Sequence, residues 1–411
     1  MEWPKLTLDQ LGSVSRGRSK HRPRNDESLF GGDYPFIQTG DVKKAGLHLT
    51  DFEETYNEQG LAQSKLWNPE TLCITIAANI ADTSILGIKA CFPDSIMGFI
   101  ANPNKADVRF VKYSFDILQK RCQAMALGAT QDNLSWEKLA KIKFSIPPLP
   151  IQQKIASILS TYDTLIENNT KRIRLLEQMA ENLYKEWFVR FRFPGHENVE
   201  MENGLPKGWK VERLGDWGIC LETGSRPKGG VDDSLAEGMP SFGAEVIKNL
   251  AEFDYHSVKL IPIEFYRKLK RGKNTGNDIL LYKDGAYIGK VTLFRDDFPF
   301  KEYSINEHVF FISPNNVSYK NYIYFTLHQK EYFLLMQNLN RNAAQPGLSQ
   351  QDIFRIKMTI PDEDIIKEFN SEIEPLLISI FSYAKQNTLL TRQRDLLLPR
   401  LMSGKLEVMV R

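Results

Sequence analysis

The chain has 411 residues, 42% of them hydrophobic and 25% charged, with a formal net charge of +2 at pH 7. The length leaves room for two domains, and the near-neutral balance excludes a polycation held to nucleic acid by bulk charge. No apolar run approaches the roughly 18 residues of a membrane span, the Met1-Glu2-Trp3-Pro4-Lys5 start lacks a signal-peptide core, and Cys73, Cys91, Cys122 and Cys220 fit neither disulfide nor zinc spacing, so a reduced cytoplasmic protein with no membrane partner is expected.

The first element is a short head, Leu6-Thr7-Leu8-Asp9-Gln10-Leu11-Gly12. Arg16, Arg18, Lys20, Arg22 and Arg24 then occupy alternate positions of an acid-free stretch without helix or strand periodicity. Tyr34-Pro35-Phe36-Ile37 reads as a strand, with Gln38, Thr39, Asp41, Lys43 and Lys44 directly behind it. Leu72 to Ile76 reads as a buried strand bounded by Asn68-Pro69. A helix is expected over 112–127 and a strand at Phe144-Ser145-Ile146, stopped by Pro147-Pro148. Beyond Pro150, Ile151, Ile155, Ile158, Tyr162, Leu165, Leu176, Met179, Leu183 and Trp187 fall in alternating steps of four and three, a heptad seam interrupted by Asn169 and Arg172. That helix should end before Phe193-Pro194-Gly195.

The second half repeats this plan. Its head is Trp209-Lys210-Val211-Glu212-Arg213-Leu214-Gly215. Arg226 and Lys228 lie in a Gly-rich loop, and Arg267, Lys268, Lys270, Arg271 and Lys273 form a second basic cluster. Strands are expected at 279–282, 287–294 and 309–312, and a helix over 320–338. A second seam runs through Ile365, Phe369, Leu376, Ile380, Tyr383, Leu390, Leu397 and Leu401, with Asn387 inside it. Pro375 predicts a kink or late start, and Gly404 a C-cap.

The repeat is explicit in one signature. Thr130-Gln131-Asp132-Asn133-Leu134-Ser135, running on to Ile146-Pro147, returns as Ala344-Gln345-Pro346-Gly347-Leu348-Ser349, running on to Ile360-Pro361. Gln131, Leu134, Ser135, Ile142, Lys143, Ile146 and Pro147 meet identical residues without a gap. Domain, helix, domain, helix is a pseudo-twofold plan. The two helices should bury their seams against each other, antiparallel. A helix of about 35 residues is roughly 50 Å long, more than the ~34 Å separating half-sites one DNA turn apart, so the pair can serve as a ruler.

Catalytic motifs are missing from the sequence. Gly285 to Gly289-Lys290-Val291 has the wrong spacing for a P-loop and no hydroxyl. No GxGxxG opens a helix, and neither HExxH nor CxxC occurs. Asn102-Pro103-Asn104-Lys105 is not the loop of an amino-methyltransferase, and Asp362-Glu363-Asp364 reads as acid at a helix start. No catalytic residue and no metal ligand is assigned, and the chain is not expected to be an enzyme.

Two stretches carry a family resemblance: Ile146-Pro147-Pro148-Leu149-Pro150-Ile151-Gln152-Gln153-Lys154-Ile155, and Leu175-Leu176-Glu177 through Leu183-Tyr184-Lys185-Glu186-Trp187-Phe188 to Phe193-Pro194-Gly195. With the repeat and the ending Leu397-Leu398-Pro399-Arg400-Leu401-Met402-Ser403-Gly404-Lys405-Leu406, the chain resembles the specificity subunit of type I restriction–modification systems over essentially its whole length. Asp362-Glu363-Asp364-Ile365-Ile366 departs from the family's Pro-Leu-Pro-x-Gln-Gln pattern. The resemblance implies an α+β (mixed α/β) fold with two similar target recognition domains, 1–150 and 194–361, separated by two long helices, 151–193 and 362–411, that form an antiparallel coiled coil. It implies that each domain reads one half of a bipartite, asymmetric site on double-stranded DNA. Two modification (methyltransferase) subunits using S-adenosylmethionine, and restriction/translocase subunits using ATP with Mg2+, would join it; the chain itself would bind no cofactor.

Base edges in the major groove are read mainly by Arg, Lys, Asn and Gln, and phosphates are held by Lys and Arg. The DNA-binding candidates are therefore Arg16, Arg18, Lys20, Arg22, Arg24, Gln38, Thr39, Lys43 and Lys44 in the first half. In the second they are Arg226, Lys228, Arg267, Lys268, Lys270, Arg271, Lys273, Arg341 and Asn342. Gln131 and Gln345 recur in both halves, which suits a shared frame better than a specific base. Two other readings fit the sequence: a recognition region detached from a fused methyltransferase–nuclease, and a coiled-coil scaffold joining two protein-binding domains.

Overall fold

The computed structural model describes residues 3–77, 79–127, 136–231, 235–274, 276–341 and 347–409, with side chains at 120–127, 340 and 341 excepted. The first copy of the repeated signature, the side chain of Arg341, Asn342 and Gln345 lie outside the described residues. The chain divides into two compact units, Met1–Asn168 with Thr388–Arg411, and Asn169–Asn387.

Each unit opens and closes on the same small frame. In the first, Lys5–Leu6 pairs antiparallel with Phe144–Ser145, so the head meets the strand that leads into the central helix. In the second, Lys210–Arg213 pairs antiparallel with Lys357–Ile360 in the same role. The recurrence of both segments in the sequence thus has one physical cause: they are the two halves of a single strand pair.

The interiors share a topology that their residues conceal. In the first unit an all but entirely antiparallel sheet runs Gly12–Arg16, Ile96–Ala101, Leu72–Thr75, Thr83–Leu86, with His48–Leu49 added in parallel at the edge. The second unit has Ile219–Thr223, Val309–Pro314, Asn277–Tyr282, Val291–Arg295 in that order. A smaller sheet accompanies each. Phe30–Phe36 lies between antiparallel Glu54–Tyr56 and parallel Ala90–Cys91, with Leu66–Trp67 beyond. Met239–Phe242 lies between antiparallel Lys259–Ile261 and parallel Ser304–Ile305. Aromatic stacking fills these small sheets, Phe36 on Tyr56 at 4.0 Å in the first and Phe242 on Tyr303 at 4.5 Å in the second.

Three local expectations are corrected. The expected strand over 287–294 begins only at Val291, because Gly285 and Gly289 hold positive φ in the turn before it. The expected helix over 320–338 is two, Lys320–His328 and Lys330–Arg341, broken where Gln329 turns extended (ψ 147°) and its carbonyl accepts the Phe333 N–H. Pro375 neither delays nor interrupts the C-terminal helix, which runs Glu363–Met402. Pro375 and Ser371 both face solvent, so the carbonyl left without its helical donor meets water.

The central helix runs Leu149–Tyr184 and continues as a π-turn through Val189. Its buried stripe is Ile155, Leu159, Asp163, Asn169, Ile173, Ala180, Tyr184 and Trp187, whereas Leu165 (45% exposed) and Met179 (55%) face outward. The expected seam is therefore out of phase in the middle, where Asp163 and Asn169 hold seam positions. The helices pair antiparallel within each unit. In the first, Asp163 accepts from Arg394 Nη1 at 2.6 Å and from the Tyr113 hydroxyl, and Ile155, Ala156 and Leu159 share a core with Leu401 and Met402. In the second, Asn169 Nδ2 donates to Gln386 at 3.4 Å, Asn387 Nδ2 to Thr170 at 3.3 Å, and Trp187 and Phe188 pack on Phe369.

Each unit also ties a neighbouring element to the central helix through a histidine and a glutamate, the edge strand His48–Leu49 in the first and the end of the helix Lys320–His328 in the second. His48 Nδ1 lies 3.1 Å from Glu167 Oε2, and the His48 backbone N–H donates to Glu167 Oε1 at 2.8 Å. His328 Nε2 lies 3.3 Å from Glu181 Oε1. The bond to Glu167 raises the His48 pKa above its ordinary 6.5 despite burial. Burial pushes the Glu167 carboxyl up, but its bonds to His48 outweigh this and hold it below the ordinary 4.5. The histidine's contribution is complete below pH 6.5 and is lost as pH rises through its raised pKa. The glutamate's is complete above pH 4.5 and is lost as pH falls through its lowered one. The contact should thus stabilise most between these values. Subtracting unfolding midpoints of His48→Asn from those of the native chain across pH should give a difference that peaks there; a flat difference would contradict it.

Candidate nucleic-acid interface

In the first unit the basic stretch starts on a strand, since Arg16 ends Gly12–Arg16 opposite Met97 although the sequence shows no strand periodicity there, and from Gly17 it is an ordered loop with its backbone tied down. Gly17 N–H donates to Ile96 O at 2.8 Å and Arg18 N–H to Phe92 O at 3.0 Å. The amides of Lys20 and His21 both donate to Gln63 Oε1, at 2.6 and 3.0 Å. Asp26 accepts from the Ser28 hydroxyl and amide and from His21, which holds its carboxyl down to about 2. With the backbone committed, the long basic side chains project outward. Arg16, Arg18 and Lys20 are exposed and have no carboxylate within ion-pair distance among the described residues. Arg22 and Arg24 instead face Asp94, at 3.7 and 2.6 Å, and Arg22 Nη1 also donates to the Ser19 and His21 carbonyls.

A cleft of about 560 Å³ joins this loop to the segment behind the small sheet, with Arg24, Gln38 and Thr39 all lining it. Asn25, Glu27 and Glu54, which sequence reasoning missed, line it too, and Phe30 and Phe36 supply apolar wall. Lys43 and Lys44 do not line it. Lys43 donates to Asn79 at 3.2 Å, and Lys44 is paired with Glu53. Asp41 is buried and caps the chain at Gln38, accepting its N–H at 2.8 Å, so it is structural. Lys65 was also missed. It lies over the Trp67 ring at 3.4 Å and donates to Ser15, one residue from Arg16, and burial lowers its pKa.

In the second unit the two basic segments meet through glycine. Gly272 has φ +72°, and a Cβ there would lie 2.5 Å from the Gly224 Cα, so the cluster from Arg267 to Lys273 touches the start of the loop holding Arg226 and Lys228. Gly272 N–H donates to Glu222 Oε2 at 3.0 Å. Arg267, Lys268, Lys270 and Arg271 are exposed, whereas Lys273 is half-buried over the Tyr266 ring. Arg226 Nε is 2.6 Å from Glu307, and His308 beside it lies 2.5 Å from Asp284. Leu348 N–H donates to Lys283 O at 2.8 Å, which seats Leu348 at the end of the strand Asn277–Tyr282. Composition gave no sign of these acids, since they lie far along the chain from the bases they neutralise.

Exposed, unpaired cations on an anchored loop suit phosphate. Arg18→Ala should therefore weaken cognate and noncognate duplexes alike and reduce the slope of log affinity against log salt by about one. Arg22→Ala should do less, since that side chain is already engaged. Titrations at several salt concentrations check both, and an unchanged slope for Arg18→Ala would remove this loop from the interface.

Among the described residues no group of His, Cys, Asp and Glu could hold a metal ion, and no helix is long and apolar enough to cross a membrane. The chain is 26% identical to the type I restriction enzyme MjaIX specificity subunit of Methanocaldococcus jannaschii, over 99% of this chain and 94% of that protein. It is 23% identical to the HindI specificity subunit of Haemophilus influenzae, over 69% and 73% of the two. Its fold is similar to the crystal structure of the type I restriction–modification S subunit from M. genitalium, with a TM-score of 0.61, 17% identity, and 97% and 96% of the two chains covered. The model of the type I restriction modification DNA specificity domain matches twice, at residues 1–178 and 206–375. By that double match over most of its length, the chain belongs to the type I restriction modification DNA specificity family, whose members are non-catalytic DNA-recognition subunits.

Proposed function

We propose that the two recognition domains, 1–150 and 194–361, each read one half of a bipartite, asymmetric sequence in double-stranded DNA, and that the helices 151–193 and 362–411 set the spacing between the halves. The observation that carries this reading is one framework built twice with unlike loops. The orders of the shared strands and the closing strand pairs coincide, with one further edge strand on each sheet of the first unit, while the exposed basic loops and the residues around them differ. A shared frame supplies shared orientation, and different loops supply different base readout.

Two modification subunits using S-adenosylmethionine would dock on the long helices, and restriction subunits using ATP with Mg2+ would join that complex in the cytoplasm. The helices keep large apolar side chains exposed opposite their buried stripe, Leu175 at 61% and Met179 at 55%, and Leu389 at 59% and Leu396 at 60%. Such side chains suit a protein partner. Mapping methylated adenines in cells that carry the chain with its modification subunits tests the reading. Two unlike short sequences at constant separation are expected. Failure to retain DNA with those partners present would favour a protein scaffold, and methylation by the chain alone would favour a detached part of a fused enzyme.

A further inference from the structure

We propose that Gln38 and Glu54 form a hydrogen-bonded pair that selects an amino-bearing base, adenine or cytosine, at one position of the sequence read by the first unit. The proposal rests on the DNA-reading function above and assigns its chemistry to two side chains. Gln38 follows the strand Phe30–Phe36, its backbone N–H held by buried Asp41 at 2.8 Å. Glu54 opens the neighbouring strand, directly opposite Phe36. Gln38 Nε2 donates to Glu54 Oε2 at 2.6 Å, and both residues line the cleft beside Arg24 and Asn25.

That bond settles which way the amide points. A flipped amide would set its carbonyl oxygen against a carboxylate, acceptor against acceptor. Facing a ligand, the pair then offers the amide oxygen, the second carboxylate oxygen and one remaining amide hydrogen. Acceptors are in excess and carry a full negative charge. In the major groove each base pair displays one amino group, N6 of adenine or N4 of cytosine, and the other base displays acceptors. The pair satisfies an amino group and repels guanine O6 and N7 or thymine O4. It therefore fixes which strand carries the amino-bearing base.

The surrounding charge assigns the cleft to base edges. Glu27 and Glu54 both line it, and Arg24, the cation there, lies 2.6 Å from Asp94. Phosphates are repelled from such a wall and fall to the exposed Arg16, Arg18 and Lys20. The corresponding strand of the second unit opens on Lys259, a donor, so the acceptor pair belongs to the first unit and not to the shared frame.

The test compares the native chain with Glu54→Gln, each in complex with its modification subunits, by sequencing the duplexes retained from a randomised pool. A second amide can turn its nitrogen toward the DNA, so Glu54→Gln should admit guanine or thymine at one position where the native chain takes only adenine or cytosine. All other positions should be unchanged, which also reports that the variant is folded. On the native complex, replacing that base by its amino-free analogue, purine for adenine or 2-pyrimidinone for cytosine, should weaken binding about tenfold, and this measurement decides the matter should the variant retain no DNA. An unchanged preference in Glu54→Gln, a change at a position that was guanine or thymine, or indifference to the amino-free analogue overturns the proposal. A native complex that retains no sequence selectively would instead overturn the DNA-reading function beneath it.

Discussion

Replacing Asp163 by Ala is expected to destabilise the first unit by about 3–5 kcal/mol. The side chain of Asp163 is 6% exposed on the central helix, and it accepts from Arg394 of the C-terminal helix and from the hydroxyl of Tyr113, itself 1% exposed. Its removal strands the buried Tyr113 hydroxyl and leaves the half-buried Arg394 without its partner on the central helix. Leaving a buried hydroxyl unpaired costs about 1–3 kcal/mol, and among the described residues Arg394 retains Asp395, at 2.8 Å. A triple variant, Asp163→Leu with Arg394→Met and Tyr113→Phe, takes all three polar groups away together and should recover most of the loss. Urea unfolding of the three proteins measures this. A cost below about 1 kcal/mol for Asp163→Ala would show that the triad contributes little, and a triple variant no better than the single would show that packing, not stranded polarity, sets the cost.

The same triad shows where the sequence could be read and where it could not. A heptad pattern is legible because apolar side chains repeat at fixed steps, and the C-terminal helix keeps its expected Phe369, Ile380 and Leu401 buried. In the central helix, polar Asp163 and Asn169 hold seam positions while Leu165 and Met179 face outward. Apolar spacing alone therefore gave the right element with the wrong phase. The frame segments were legible as a repeat because both copies preserve them, although only Phe144-Ser145-Ile146 was expected as a strand, whereas the matching sheets were not legible. Their strands are two to seven residues long, and their equivalence lies in order and direction, which many unlike sequences satisfy. The basic loops were visible as composition. That Arg24 is spoken for by Asp94, Lys44 by Glu53 and Arg226 by Glu307 depends on tertiary approach, and so does the meeting of Gln38 with Glu54.

Lengthening both helices together should change the spacing between the two half-sequences and leave the half-sequences intact. The registered contacts fix where to insert. Asp163 faces Arg394, and Asn169 and Thr170 face Gln386 and Asn387, so additions belong between Asp163 and Asn169 and between Asn387 and Arg394. Four residues, about one turn, add roughly 6 Å but over-rotate the following stripe by about 40°. Seven residues add roughly 10 Å and keep the heptad phase. With base pairs stacked about 3.4 Å apart, the preferred spacer should grow by about one or two base pairs in the first case and about three in the second. Methylated-adenine mapping of each variant, with its modification subunits, reads spacer and half-sequences at once. Spacers that do not track the added length would deny the helices the role of a ruler, and altered half-sequences would mean that the helices help to read bases as well as to space them.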